Sequence, residues 1–330
     1  MVWLLLISGF LLLLFGGEIL VKGSVALARR LKMPPLIIGI VLVGFGTSMP
    51  ELVTCVAAAL EGSPDIAVGN VVGSNIANIL LVAGVGALLI PIVTPISEFK
   101  RDGTAVAAST LVFALAALFF GEVGRMIGAF FVLSLLGYVA FIYFSEKAKL
   151  KRVEKQHLVE ELKEMETFMG RPMTMPLSGI LAVGGITLTI LGAKLLVTGA
   201  ITLAQKAGIS ETVIGLTIVA IGTSLPELVT AIVAGLRNHG DVSLGNILGS
   251  NIYNILGILG ITALVDPLTI PTEILRFDLW VMILATILLA VFALRKLNIT
   301  RIEGGFLLAT YAVYLYMLYI GQSGPAPGTM

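Results

Sequence analysis

Apolar residues run along this chain in blocks of membrane-spanning length, separated by short polar stretches, and the strict apolar–polar alternation of half-buried strands is missing. A helix needs about 20 apolar residues to cross a bilayer core. By that ruler ten spans fall near 2–28, 36–60, 66–92, 104–121, 126–144, 176–204, 212–236, 242–265, 279–294 and 303–320. The expected fold class is an all-α polytopic membrane protein. The run from Val2 to Leu14 lacks a leading basic region and continues apolar to Ala28, so it reads as the first span and not as a secretory signal. The hydrophilic stretch 146–175 divides the chain into a first five-helix repeat, 1–145, and a second, 176–330. Its Glu, Lys and Arg residues read as a solvated helical linker with i,i+4 pairs, and the Gly/Pro tail after Gly321 reads as disordered.

Two spans break the apolar pattern in the same way. Gly44-Phe-Gly-Thr-Ser-Met-Pro-Glu51 returns as Ala220-Ile-Gly-Thr-Ser-Leu-Pro-Glu227, at an offset of 176 residues that aligns the flanking sequence without a gap. The chain is a duplication. With five spans per copy, the second copy enters the membrane from the opposite side, giving ten transmembrane helices as two inverted five-helix repeats. Basic residues agree with that arrangement. With both termini outside, sixteen of the 21 Lys and Arg fall in cytoplasmic segments, the linker among them, and only Arg125, Lys206 and Arg276 lie in outer loops.

Composition adds the class. Hydrophobic residues make up 57% of the chain and charged residues 12%, with a mean hydropathy of +1.03, against about 25% charged in a soluble domain. Cys55 is the single cysteine, which excludes an intramolecular disulfide or a thiolate cluster. A multi-pass plasma-membrane protein is expected, in contact with lipid, monomeric, with no nucleic-acid partner and no cofactor.

The candidate chemistry sits in the repeated stretches. A carboxylate at bilayer depth costs roughly 2.5–3.5 kcal/mol even on the lenient insertion scale, so Glu51 and Glu227 mark an ion or substrate path. Pro50 and Pro226 lack an N–H and crowd the carbonyls of Gly46 and Gly222, so the helices break there. Thr47 and Ser48 lie four and three residues before Glu51, and Thr223 and Ser224 stand likewise before Glu227. The next span in each copy carries Gly69-Asn-Val-Val-Gly-Ser-Asn-Ile-Ala-Asn78 or Gly245-Asn-Ile-Leu-Gly-Ser-Asn-Ile-Tyr-Asn254, which adds Ser74, Asn78, Ser250 and Asn254 at i,i+4 spacing. Such an all-oxygen set suits hard cations such as Ca²⁺ and Na⁺, whereas zinc or copper calls for His or Cys. For any one of Ser74, Ser250, Thr54 or Thr230, bonding across helices is an equally good reading. Asp65 and Asp241 read as helix N-caps. Lys22 and Lys194, the basic residues within spans, read as interfacial or locally paired, with a Glu18–Lys194 pair as the other option.

Together the two copies of Gly-Thr-Ser-x-Pro-Glu, each followed by Gly-Asn-x-x-Gly-Ser-Asn-Ile-x-Asn, resemble the α-repeats of the sodium/calcium exchanger family, within the wider cation/calcium exchangers. The resemblance covers nearly the whole chain. It implies a core of four helices from each half, with the long first and sixth helices lying across it and sliding during alternating access. It places ion ligands on Glu51, Glu227, Thr47, Ser48, Thr223, Ser224, Ser74, Asn78, Ser250 and Asn254, with backbone carbonyls at Gly44 and Ala220. Potassium-dependent members have Asp where this chain has Asn254, so K⁺ co-transport is not expected.

The expected function is secondary antiport of Na⁺ against Ca²⁺, not enzymatic catalysis. Protons in place of Na⁺ remain an open alternative. An intramembrane hydrolase lacks its general acid/base residues, since His157 and His239 lie in the linker and a loop, and a channel fits duplicated inverted halves poorly.

Overall fold

The computed structural model describes residues 2–30, 46, 48–93, 96–149, 167–168, 171–236, 240–296 and 298–323. Among them run eleven helices: α1 (Val2–Arg30), α2 (Met49–Leu60), α3 (Pro64–Leu89), α4 (Ile96–Phe120), α5 (Arg125–Lys149), α6 (Met175–Ala207), α7 (Glu211–Thr223), α8 (Leu225–Leu236), α9 (240–265), α10 (274–296) and α11 (Arg301–Ser323). Eight of these are long and apolar enough to cross a bilayer. The two expected spans that carry the repeated motifs differ from the rest. The span near 212–236 is not one helix: α7 stops at Thr223 and α8 starts at Leu225. Of the span near 36–60, α2 is the described helix, and Gly44 and Thr47 lie outside the described residues.

The break follows from proline chemistry. Ser48 and Ser224 take nearly the same non-helical backbone, φ −90° ψ 8° and φ −84° ψ 7°. Pro50 and Pro226 then fall in the first turn of α2 and α8, where a missing N–H is harmless. Of the expected N-caps, Asp65 moves: Ser63 precedes Pro64 at the cap and Asp65 lies in the first turn of α3, where its charge faces the positive helix end. The linker reading 146–175 falls mostly outside the described residues; its described end holds a two-residue hairpin, β3 (Thr167–Phe168) with β4 (Arg171–Pro172), before Thr174 caps α6 through the Leu177 N–H. Residues 324–330 of the tail are also outside.

Burial is inverted relative to a soluble protein. Of the most apolar stretch of α3, 83% is buried, as in α9, against 17% in α5. The peripheral helices turn Trp3, Phe15, Phe119, Phe144, Ile180 and Phe306 outward, an apolar belt suited to lipid. At the centre, α2, α3, α8 and α9 enclose the polar side chains.

Packing follows the duplication. Strand β1 (Ile92–Val93) pairs with β6 (Asn298–Ile299), and β2 (Glu122–Val123) pairs with β5 (Leu268–Thr269). The 176-residue offset carries β1 onto β5 and β2 onto β6, and it carries the register Ile92 opposite Ile299 onto Leu268 opposite Val123. A two-fold exchange of the halves therefore reproduces both pairs. Helix α3 also packs against α11, and its copy α9 against α5: a β-carbon at Gly304 would lie 2.8 Å from the Gly84 carbonyl oxygen, and one at Gly128 2.8 Å from that of Gly260. These contacts bring backbones together as small residues do in membranes. Helices α1 and α6, 29 and 33 residues long, pack antiparallel, with Gly9 against Gly192 and Leu196. At 1.5 Å per residue both exceed a hydrocarbon core of about 30 Å. Glu18 on α1 pairs with Lys22 at 2.5 Å, which settles its partner as the local lysine and not Lys194.

Candidate ion-binding site

Glu51 and Glu227 occupy the first turns of α2 and α8 and are 1% and 0% exposed. Starting a helix just before each carboxylate does two things. The non-helical Ser48 and Ser224 turn away from their own helices, and the positive helix ends face the acids. Each serine then reaches the carboxylate of the other repeat. Ser48 Oγ donates to Glu227 Oε1 at 3.2 Å, and Ser224 Oγ donates to Glu51 Oε1 at 3.3 Å. The same 176-residue offset relates the two bonds, so the site is built by exchange between the halves.

Helices α3 and α9 close the cluster. Ser250 donates to Glu227 Oε1 at 3.3 Å and lies 3.4 Å from Ser48 Oγ. Ser74 donates instead to Asn70 Oδ1 at 3.4 Å, one turn back on its own helix. Thr223 donates to the same oxygen at 3.1 Å and approaches the carbonyls of Val219 and Ala220. The Ala220 carbonyl also accepts the Ser224 N–H at 3.1 Å.

Asn78 and Asn254 lie in stretches of π-helix, Asn78–Val82 and Tyr253–Leu259, which widen α3 and α9. Both amides are buried, and neither their Nδ2 nor their Oδ1 atoms have a hydrogen-bond partner among the described residues; Glu51 Oε2 and Thr54 Oγ1 share that condition. Buried polar atoms almost always find partners. Unpaired buried oxygens on α2, α3 and α9 can therefore accept a partner from outside, and the donor set is hard oxygen throughout. Among the described residues no group of three or more His, Cys, Asp or Glu is assembled.

Of the candidate residues, Ser48, Glu51, Ser224, Glu227 and Ser250 are joined directly, Thr223 and Ser74 through Asn70, and Gly44 and Thr47 lie outside the described residues. Sequence reading gave Asn70 no role of its own, although the Gly-Asn pair opens both copies of the motif. It also passed over a duplicated pair away from the centre. Tyr138 donates to Asp102 at 2.8 Å and Tyr314 to Asp278 at 2.9 Å. The 176-residue offset relates these pairs too, and it was the available signal.

Comparison with known proteins agrees with this arrangement. The family described as sodium/calcium exchanger protein matches residues 1–144 and 177–320. The putative antiporter CaxA of Alkalimonas amylolytica is 38% identical over 316 residues, covering 94% of this chain and 96% of that protein. The sodium/calcium exchanger MaX1 of Methanosarcina acetivorans is 36% identical over 349 residues, covering 96% and 98%. Among solved structures, the sodium-calcium exchanger NCX_Mj soaked with 10 mM Na⁺ and 10 mM Sr²⁺ superposes with a TM-score of 0.61 at 28% identity, over 94% of this chain and 96% of that one. With the family pattern matched on both sides of the linker and over nearly full-length relatives, this chain belongs to the sodium/calcium exchanger family, whose members are transporters and not enzymes.

Proposed function

We propose that the protein exchanges Na⁺ for Ca²⁺ across the plasma membrane by alternating access, with Glu51 and Glu227 as the shared charged ligands. The observation that carries this reading is the pair of exchanged bonds, Ser48 to Glu227 and Ser224 to Glu51, inside a buried set of oxygens with unpaired amides at Asn78 and Asn254. Thr47, Thr223, Ser74 and Ser250 complete the ligand set, with backbone carbonyls at Gly44 and Ala220. One Ca²⁺ or a group of Na⁺ ions neutralises the same two carboxylates, so the ions compete. An empty doubly charged pocket is costly to carry past an apolar barrier, and exchange follows from that exclusion. The names of MaX1 and NCX_Mj support the choice of ions.

The architecture goes with ten membrane crossings in two inverted halves, the span near 36–60, of which α2 is the described part, and the α7–α8 pair each serving as one crossing. Supporting this, β1–β6 and β2–β5 are exchanged by the offset between the halves. The basic residues put the linker in the cytoplasm and both termini outside.

Purified protein in vesicles loaded with Na⁺ is expected to take up ⁴⁵Ca²⁺ when diluted into Na⁺-free medium, with K⁺ dispensable. Uptake driven by a pH gradient without Na⁺, and indifferent to Na⁺, would transfer the protein to proton-coupled exchange.

A further inference from the structure

A hydroxyl has one proton and two lone pairs, so a Ser or Thr that ligates a cation must send its proton elsewhere. Ser48, Ser224 and Ser250 send theirs to the carboxylates. Ser74 points at Asn70 Oδ1 at 3.4 Å, and Thr223, on the other repeat, reaches the same oxygen at 3.1 Å with the Val219 carbonyl as an equally near second acceptor. Asn70 is 0% exposed, and its amide has two chemically opposite ends. With its carbonyl toward the site it accepts from Ser74 and offers Thr223 an acceptor, leaving the lone pairs of both hydroxyls uncontested. Turned over, it would place N–H groups on the oxygens of Thr223 and Ser74 and compete with a cation for their lone pairs.

What decides between these orientations is Cys55, also 0% exposed. Its thiol donates to the Ala67 carbonyl at 3.5 Å, and its sulfur accepts from Asn70 Nδ2 at 3.2 Å. With the thiol proton committed to Ala67, the sulfur offers only lone pairs to the amide. The N–H end of Asn70 is accepted there and the carbonyl end is repelled. A chain of donors thus runs away from the site, from Thr223 and Ser74 to Asn70, from Asn70 to Cys55 and from Cys55 to Ala67.

We propose that Cys55 and Asn70 are positioning residues of the ion site: together they turn the protons of Thr223 and Ser74 outward and leave the lone pairs of both oxygens to the transported cation. This rests on the exchanger reading above. The second repeat does not copy the device. Ala231 stands at the position of Cys55, and the Nδ2 of Asn246, the copy of Asn70, has no partner among the described residues. Thr47, the copy of Thr223, lies outside the described residues, and among those described the complete chain from hydroxyl to thiol belongs to the first repeat.

The test measures Na⁺-driven ⁴⁵Ca²⁺ uptake in vesicles, with half-saturating Na⁺ and Ca²⁺, maximal rate and thermal unfolding for each variant. Cys55→Ala is expected to raise the half-saturating concentrations by about threefold to tenfold, the worth of one buried hydrogen bond, with the maximal rate changed by less than about twofold. Cys55→Ser, which keeps a donor and an acceptor, is expected to stay within about twofold of the parent. Asn70→Leu removes the amide that Cys55 acts on, so adding Cys55→Ala to it is expected to give no further shift. Parental half-saturation in Cys55→Ala, even at a lowered unfolding temperature, would overturn the proposal. So would shifts from Cys55→Ala and Asn70→Leu that simply add. Glu51→Gln in the same assay separates the two levels: if it transports like the parent, the exchanger site itself falls and this proposal with it. If it is dead while Cys55→Ala stays parental, only the positioning role falls.

Discussion

In the first repeat Asp102 is held twice, by Tyr138 at 2.8 Å and by the guanidinium of Arg101 at 2.5 and 2.9 Å. In the second, Tyr314 holds Asp278 at 2.9 Å, and the place of Arg101 is taken by Phe277, whose ring stacks on Tyr314 with centroids 6.0 Å apart. The same shift appears beside the ion site, where Cys55 and Ala231 occupy matching positions. At the carboxylates the halves agree instead: each offers a serine to the acid of the other. Identity is kept where a group of one half acts on the other, since a change there alters both sides of the site at once. It is relaxed where a contact stays within one half, because packing there can be satisfied by other means.

The largest expected effect lies where the halves agree. On the proposed ligand set, Glu51→Gln and Glu227→Gln each remove one of the two charges that would replace the hydration of a divalent ion. Each is expected to lower Ca²⁺ exchange by about a hundredfold or more, as the loss of one partner from a buried charged set does. Vesicle uptake checks this, and a large difference between the two variants would break the equivalence of the halves.

A smaller and again equal effect is expected at the interlocking glycines. Gly304→Leu and Gly128→Leu push a side chain against the backbone of α3 or α9, where a β-carbon already lies 2.8 Å from a carbonyl oxygen. Each is expected to destabilise the protein by about 1–3 kcal/mol, the cost of overpacking. Thermal unfolding in detergent measures it, and a drop in only one variant would show that the halves do not interlock alike.

The smallest effect is also the one expected to differ between halves. Tyr314→Phe leaves Asp278 without its tyrosine, at a cost of about 1–3 kcal/mol, whereas Tyr138→Phe leaves Asp102 to Arg101 and is expected to cost about 1 kcal/mol or less. Equal losses in the same unfolding assay would mean that Arg101 does not stand in for the tyrosine.

Much of this protein was legible before folding. Spans, duplication and the two acids follow from the apolar blocks and the 176-residue offset, because a bilayer demands continuous apolar length and penalises each charge within it. The helix breaks at Ser48 and Ser224 were legible as well, since a proline two residues on cannot sit inside a continuous helix. Other features depend on groups far apart in the chain. That Ser48 serves Glu227 and not Glu51 is a bond across 179 positions, and spacing along one helix gathers oxygens without saying which acid they meet. The π-turns at Asn78 and Asn254 and the place of Asp65 behind Ser63 were likewise set by packing. Residue types and local periodicity determined what this chain could bind and where its helices had to break. The direction in which a hydroxyl points its proton was decided by the fold, because a hydrogen bond depends on which neighbour arrives within about 3 Å, and for Ser48, Ser224 and Thr223 that neighbour comes from the other half of the molecule.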